Sequence, residues 1–174
     1  KARAIGRNRR RVAMESAERN VTERNKISLT RAQSIGFERL EMTSLLQLIF
    51  PELTPMKGVE RRGKHAHKGV FLHTLKVIDN RSQNTDDLWL RWAALPHDIG
   101  KPATKGYDPR HGCTFHCLEV VGSKMVPVNY RRLKLPLNEE MKFVSKLVFL
   151  HLRPIAVVEE EVTDSAVRRL LFEA

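Results

Sequence analysis

The sequence predicts an all-α protein, a helical bundle preceded by a small basic helical unit. Three observations carry this. Apolar residues recur at i, i+3, i+4 and i+7 through much of the chain, the spacing of one helix face. The alternation of β-branched residues that marks a half-buried strand never persists. Proline and glycine concentrate in two stretches, residues 51–67 and 101–112, which read as loops between periodic segments.

The first helix is expected over Arg3–Met14 and is basic almost all round, with Arg3, Arg7, Arg9, Arg10 and Arg11. A short helix follows over Thr22–Leu29. Ser34–Met42 is the next, with Ile35, Phe37 and Leu40 as its apolar set. Ser44–Ile49 carries Leu45, Leu46, Leu48 and Ile49, and Pro51 stops it because proline has no N–H to continue the ladder. The boundary between the two units is drawn in the loop that follows, giving 1–64 and 65–174.

After the boundary, Gly69–Asn80 is periodic through Val70, Leu72, Leu75, Val77 and Ile78. Asp86 or Asp87 can cap the next helix, Leu88–Asp98, since an aspartate before a helix accepts from its free N–H groups. Further helices are expected over His116–Tyr130, Asn138–His151 and Pro154–Glu160, then from Asp164 onward with Thr163 as its N-cap.

Composition narrows the function classes. The 174 residues hold 31 Lys and Arg against 20 Asp and Glu, a net charge of +11. Residues 1–64 account for +8 and residues 65–174 for +3. A basic surface concentrated in one unit points to a polyanion partner, of which RNA or DNA is the usual kind. No apolar run approaches the ~20 residues of a membrane-spanning helix, so no membrane partner is expected. The basic start has no apolar stretch behind it to act as a secretion signal. Two cysteines, Cys113 and Cys117, exclude a disulfide scaffold and fit a reducing, cytoplasmic setting.

The histidines carry the chemistry. His73 shares a helix face with Val70 and Val77, His97 with Leu90 and Ala93, and His151 with Val144 and Val148. A single histidine on an apolar face is ordinarily a hydrogen-bonded core residue. Three on separate helices of one bundle converge, which is how facing helices build a metal site. Asp98 directly after His97 adds a carboxylate able to bridge cations, and Lys101 can reach a phosphate oxygen. Gly100 can end the helix beneath them.

The order His73, then His97–Asp98 within Leu95-Pro96-His97-Asp98-Ile99-Gly100-Lys101-Pro102, then Asp164, resembles the HD superfamily of metal-dependent phosphohydrolases. Phe71-Leu72-His73-Thr74-Leu75, Leu88–Leu95 and His151-Leu152-Arg153-Pro154 look like the HD domain of bacterial tRNA nucleotidyltransferases and related poly(A) polymerases. Ile5–Met14, followed by Ser34-Ile35-Gly36-Phe37 and Leu45–Leu53, looks like the helical neck and body of those enzymes. The resemblance implies that 65–174 is an HD domain, truncated at its C-terminus, and that 1–64 holds RNA. It implies tRNA as the partner, gripped at its phosphates by Arg7, Arg9, Arg10 and Arg11.

By position, the resemblance makes His73, His97, Asp98 and Asp164 ligands of a divalent metal (Mn, Fe, Ni, Zn or Mg). Asp98 and Lys101 are the catalytic pair, and His116 and His151 would serve a second metal. The substrate would be a phosphorylated nucleotide or an RNA 3′ end, as a phosphomonoester or a cyclic 2′,3′-phosphodiester. Two positions depart from the family. Leu118 stands where a histidine ligand is usual, and His116, two residues earlier, lies roughly 200° around the helix from it. Pro96 stands where a helix former is usual. The family's nucleotide-adding head, with a Gly-Ser turn and paired carboxylates, has no counterpart in this sequence, so the chain reads as the later part of a longer protein. A degenerate RNA-binding bundle and a stand-alone nucleotide phosphohydrolase are the competing expectations. Cys113, His116 and Cys117, with His111 nearby, could make a separate zinc knuckle, but Cys-X3-Cys with a loop histidine is incomplete as a tetrahedral set, and small buried thiols are expected instead.

Overall fold

The computed structural model describes residues 30–59, 69–110, 112–155 and 163–173. The helices expected over Arg3–Met14 and Thr22–Leu29, and with them Arg7, Arg9, Arg10 and Arg11, lie outside the described residues. So do His111 and residues 156–160 of the expected Pro154–Glu160 helix.

The described chain is helical apart from one hairpin. Helix α1 is Gln33–Met42, α2 is Leu46–Ile49, and a 3₁₀ helix spans Pro51–Gly58. Helix α3 is Val70–Asn84, α4 is Leu88–Ala94 and α5 is Lys101–Thr104. Strands β1, Lys105–Asp108, and β2, Gly112–Phe115, form the hairpin. Helices α6, Leu118–Arg132, α7, Glu139–Leu150, and α8, Asp164–Glu173, complete the order.

Two stretches read as loops are structured. Residues 51–58 coil as a 3₁₀ helix with Pro51 in its first turn, where its missing N–H would have no partner. Leu53 and Met56 turn into the core and pin it. Residues 105–108 and 112–115 pair antiparallel, with Lys105 opposite Phe115 and Tyr107 opposite Cys113. Gly112 takes φ 78°, a conformation that glycine adopts freely, where β2 begins. Four-residue strands are too short to display a period of two, and so the pattern hid them.

Elsewhere the helices fall close to expectation. Asp87 Oδ1 accepts from the N–H groups of Trp89 and Leu90 at 2.9 Å each, capping α4. Pro51 directly follows α2, and the cap of α2 is Phe50. Helix α3 runs four residues further than expected. Its last turn is held by Ser82 Oγ, which donates to the Arg31 carbonyl at 2.7 Å. Asp79 Oδ1 takes the Ser34 N–H at 2.9 Å, so α3 anchors the start of α1.

One apolar cluster gathers residues from both sides of position 64. Phe37, Leu46, Leu53 and Met56 pack with Leu75, Ile78, Trp92, Val126, Val144 and Val148. Each such side chain contributes about 1.5–3 kcal/mol by leaving water. Arg91 is buried among them and is fully engaged. Its Nε donates to the Thr85 carbonyl at 2.7 Å, and its terminal nitrogen donates to the Ser82 carbonyl at 3.0 Å and to Asp86 at 2.9 Å. That side chain fixes the turn from α3 into α4, and hence where the end of α4 points.

Candidate metal centre

The site is built on the turn after α4. A helix through Asp98 was expected, but α4 ends at Ala94. Pro96 has no N–H to return to the Trp92 carbonyl, and Leu95 donates to it instead at 3.2 Å. The chain then tightens: Ile99 N–H donates to Pro96 O at 3.1 Å and Lys101 N–H to Asp98 O at 3.0 Å. Pro96 therefore begins a new turn, with His97 and Asp98 on it. Ile99 is buried and holds the turn in the core.

Gly100 does more than end a helix. A Cβ there would lie 2.3 Å from the Leu118 carbonyl oxygen and 3.0 Å from the Gly122 N–H nitrogen. Only glycine lets this turn lie against the start of α6. Leu118 itself is 4% exposed and offers no ligand atom.

Asp98 is the centre of the arrangement and is 2% exposed. Its Oδ2 lies 2.6 Å from Lys101 Nζ, 3.2 Å from His97 Nε2 and 3.9 Å from His73 Nε2. Its Oδ1 faces His151 Nε2 at 3.8 Å. The His97 ring stands 5.6 Å from that of His73 and 5.6 Å from that of His151, both edge to face. Helices α3 and α7 thus bring His73 and His151 to the turn that carries His97 and Asp98. His73, His97 and Asp98 offer ligand atoms that all lie within 4.8 Å of one another.

Two of the rings are oriented from behind. His97 Nδ1 lies 2.8 Å from the Ala94 carbonyl and His151 Nδ1 lies 2.6 Å from the Val148 carbonyl. A carbonyl only accepts, so Nδ1 carries the proton in each ring. In the neutral ring Nε2 then presents a lone pair, and both Nε2 atoms turn toward the Asp98 carboxylate. His151 Nε2 is buried and has no hydrogen-bond partner. Lone pairs aimed at a carboxylate repel it unless a cation lies between them. Imidazoles anchored at one nitrogen and free at the other are the usual arrangement around a metal. The donor set therefore fits a divalent ion.

Burial alone would raise the Asp98 carboxyl. In the metal-free protein the His151 and His97 rings, in the protonated form that donates through Nε2, and the Lys101 ammonium overcome it and hold the group far below the usual carboxylate range. Asp98 is consequently an anion at any ordinary pH, as a ligand must be.

The other expected residues are placed elsewhere. Asp164 is the first residue of α8, is exposed, and is not in the ligand group. His116 sits exposed in the turn before α6. Cys117 is exposed and Cys113 half-buried, so neither is the buried thiol expected. His73 stands at the rim of its helix, its side chain 53% exposed, because the inward stripe of α3 runs through Val70, Phe71, Thr74, Leu75 and Ile78. Sequence reasoning missed the role of Gly100 and the hairpin that continues from Lys101. Pro109 and Gly112, which bracket the turn between the two strands, were the available signal for the latter.

A helical bundle with a histidine on one helix, a His-Asp pair on a turn and a third histidine on another helix defines a metal-poised HD-type domain. Comparison with known families agrees. Residues 40–168 match the HD domain, and the chain belongs to that family. HD domains bind divalent metals. Residues 2–57 match the family described as a probable RNA and SrmB-binding site of polymerase A. An A-adding tRNA nucleotidyltransferase of Deinococcus radiodurans is 36% identical over 139 residues, 78% of this chain and 30% of that protein. A CC-adding tRNA nucleotidyltransferase of Thermus thermophilus is 31% identical over 150 residues, 80% of this chain and 32% of that protein. A multifunctional CCA protein of Pasteurella multocida is 35% identical over 103 residues, 55% of this chain and 24% of that protein. The chain thus spans about a third of the length of the first two relatives and about a quarter of the third. It combines the RNA-binding segment and the HD domain found together in tRNA nucleotidyltransferases.

Proposed function

We propose that this chain is the RNA-holding and HD part of a tRNA nucleotidyltransferase-type protein, working in tRNA processing in the cytoplasm, and that its HD site is a metal-dependent phosphohydrolase. The observation that carries the second half is the pair of imidazoles, His97 and His151. Each is anchored through Nδ1 and turns Nε2 onto one buried carboxylate. Among the described residues no helix is long and apolar enough to cross a membrane.

His73, His97 and Asp98 would hold the ion, with His151 completing the set. Three imidazoles and one carboxylate favour Mn, Fe, Ni or Zn over Mg. When bound, such an ion lowers the pKa of a coordinated water to near 7 and polarises a phosphoryl oxygen. Asp98, fully ionised, supplies negative charge to the ion and holds Lys101. The Lys101 ammonium, at the mouth of the turn, neutralises a phosphate oxygen of the substrate. Hydrolysis adds water across one P–O ester bond of a phosphomonoester or of a cyclic 2′,3′-phosphodiester. Asp164 and His116 take no part in this reading, and a single ion suffices. The unit formed by residues 1–64, with Arg7, Arg9, Arg10 and Arg11, would hold tRNA by its phosphates, without reading sequence.

The test is release of phosphate from 2′-AMP, and opening of 2′,3′-cyclic AMP to the monophosphate, by the purified protein with Mn, Ni, Zn or Mg. Activity with a transition ion that disappears in Asp98→Asn is expected. No turnover with any of these ions, together with no bound metal by elemental analysis, would overturn the phosphohydrolase. Binding of tRNA that falls steeply with salt and weakens when Arg9, Arg10 and Arg11 are replaced tests the RNA-holding half separately.

A further inference from the structure

The hairpin after the metal centre carries an aromatic that the fold does not use. Tyr107 is 76% exposed on β1. A lone exposed aromatic needs no explanation. This one is aligned with the site. Lys101 Nζ, 2.6 Å from Asp98 Oδ2, also lies 5.8 Å from the centre of the Phe115 ring. Phe115 is directly opposite Lys105, and Tyr107 opposite Cys113. Side chains alternate along a strand, so Lys105, Tyr107, Cys113 and Phe115 share one face. The opposite face is held by Gly106 and Thr114, where a Cβ on Gly106 would lie 2.9 Å from Thr114 Oγ1.

Tyr107 and Phe115 are thus diagonal neighbours, about 7–8 Å apart and within the reach of aromatic side chains. The face that begins at the metal turn runs from Lys101 to Phe115 to Tyr107. Lys105 stands beside Tyr107 on the same strand, and Arg110 lies just beyond it in the turn; both are exposed. Positive charge near an exposed ring suits an anion that carries a flat π system. Stacking on such a ring accepts any base, because every base has a π face.

We propose that Tyr107 is the base-stacking residue of the HD site. A nucleotide whose phosphate is held at Lys101 and the metal ligands would lay its base over the Tyr107 ring along this face of the hairpin. The inference rests on the phosphohydrolase reading above and deepens it by naming the side chain that would select a nucleotide over a small phosphorylated sugar or alcohol. Tyr107 is a specificity residue. It takes no part in breaking the P–O bond.

The experiment compares wild type, Tyr107→Ala and Tyr107→Phe, all loaded with the ion that supports turnover or, if none does, with Mn. KM and kcat are measured for 2′-AMP and for glycerol 2-phosphate, which has no base. Calorimetry then measures affinity for 2′-AMP and for inorganic phosphate. Tyr107→Ala is expected to raise KM and weaken binding of 2′-AMP by about 5- to 150-fold, the usual loss when a stacking aromatic is removed. It should leave kcat, glycerol 2-phosphate and inorganic phosphate unchanged, and Tyr107→Phe should restore wild-type values. A Tyr107→Ala protein within twofold of wild type on 2′-AMP overturns the proposal, as does an equal loss on both substrates. If wild type turns over neither compound nor 2′,3′-cyclic AMP and holds no metal, the phosphohydrolase reading fails; wherever turnover is absent, the calorimetry alone decides. Preference for 2′-AMP over phosphate that vanishes in Tyr107→Ala then supports the stacking site, and its absence overturns it.

Discussion

Replacing Asp98 by Asn keeps the size of the side chain and removes its charge, which makes it the most direct probe of the metal centre. In wild type, a ligand that binds only the folded state stabilises it by RT ln(1 + [L]/Kd), about 2.7 kcal/mol at a hundredfold excess over Kd. A chain of this length gains about 2–4 °C in Tm per kcal/mol. Adding Mn to the chelator-treated wild-type protein should therefore raise Tm by about 5–11 °C. The variant keeps the rings of His73, His97 and His151 but loses the only anion among them. Its Mn response should fall to within error of zero. The metal-free variant also leaves the Lys101 ammonium, 11% exposed, without the carboxylate now 2.6 Å away. Removing one partner of a buried pair costs about 3–5 kcal/mol, and the residual exposure of Lys101 puts the cost at about 3. Differential scanning calorimetry with and without Mn reads both effects. An Asp98→Asn protein that gains as much Tm from Mn as wild type would refute Asp98 as a ligand.

Gly100→Ala forces a Cβ to within 2.3 Å of the Leu118 carbonyl, so the turn must move by about 1 Å against backbone. Overpacking of this kind costs about 3 kcal/mol, and denaturant unfolding should show it together with a smaller Mn response, since Asp98 moves with the turn. Acid should destabilise the metal-free protein through Asp98. Its folded-state pKa lies below the ordinary 3.8, so it contributes stability above that pH and loses it progressively as pH falls below. Circular dichroism during acid titration should therefore show Asp98→Asn losing less stability below pH 3.8 than wild type. Tyr130 works in the opposite direction. Burial, then the Glu140 charge, raise its pKa above the ordinary 10.0, so its contribution is complete below pH 10 and is lost above it. Alkaline unfolding should begin above pH 10 and be delayed in Tyr130→Phe, followed by the same signal.

The helical bundle, its caps and the His-Asp pair at its centre were legible because they are local or periodic. Asp87 caps α4 through groups two and three residues away, and Pro51 interrupts a helix by lacking an N–H, neither of which needs distant partners. His73, His97 and His151 could be read as one cluster because the helical period sets each beside apolar residues, although His97 lies on a turn after α4 and His73 at the rim of α3. The basic start, likewise, is a property of composition, and the match of residues 2–57 to an RNA-binding family agrees with it.

Other features depend on contacts between residues far apart in the chain, which no window of sequence contains. Pro96 was visible, but that it starts the turn carrying His97 and Asp98 depends on the chain having room to tighten against α6. Gly100 provides that room, and its reason is the Leu118 carbonyl eighteen positions later. The hairpin forms because β1 and β2 find each other, with strands too short to announce themselves. His151 belongs with Asp98 because α7 delivers its Nε2 to 3.8 Å from that carboxylate. Asp164, at a spacing equally suggestive on paper, begins α8 in solvent. Residue types and their periods determine which groups can bind a metal; which of them meet is decided by packing, because ligation requires atoms within a few ångströms and only the folded core sets that distance.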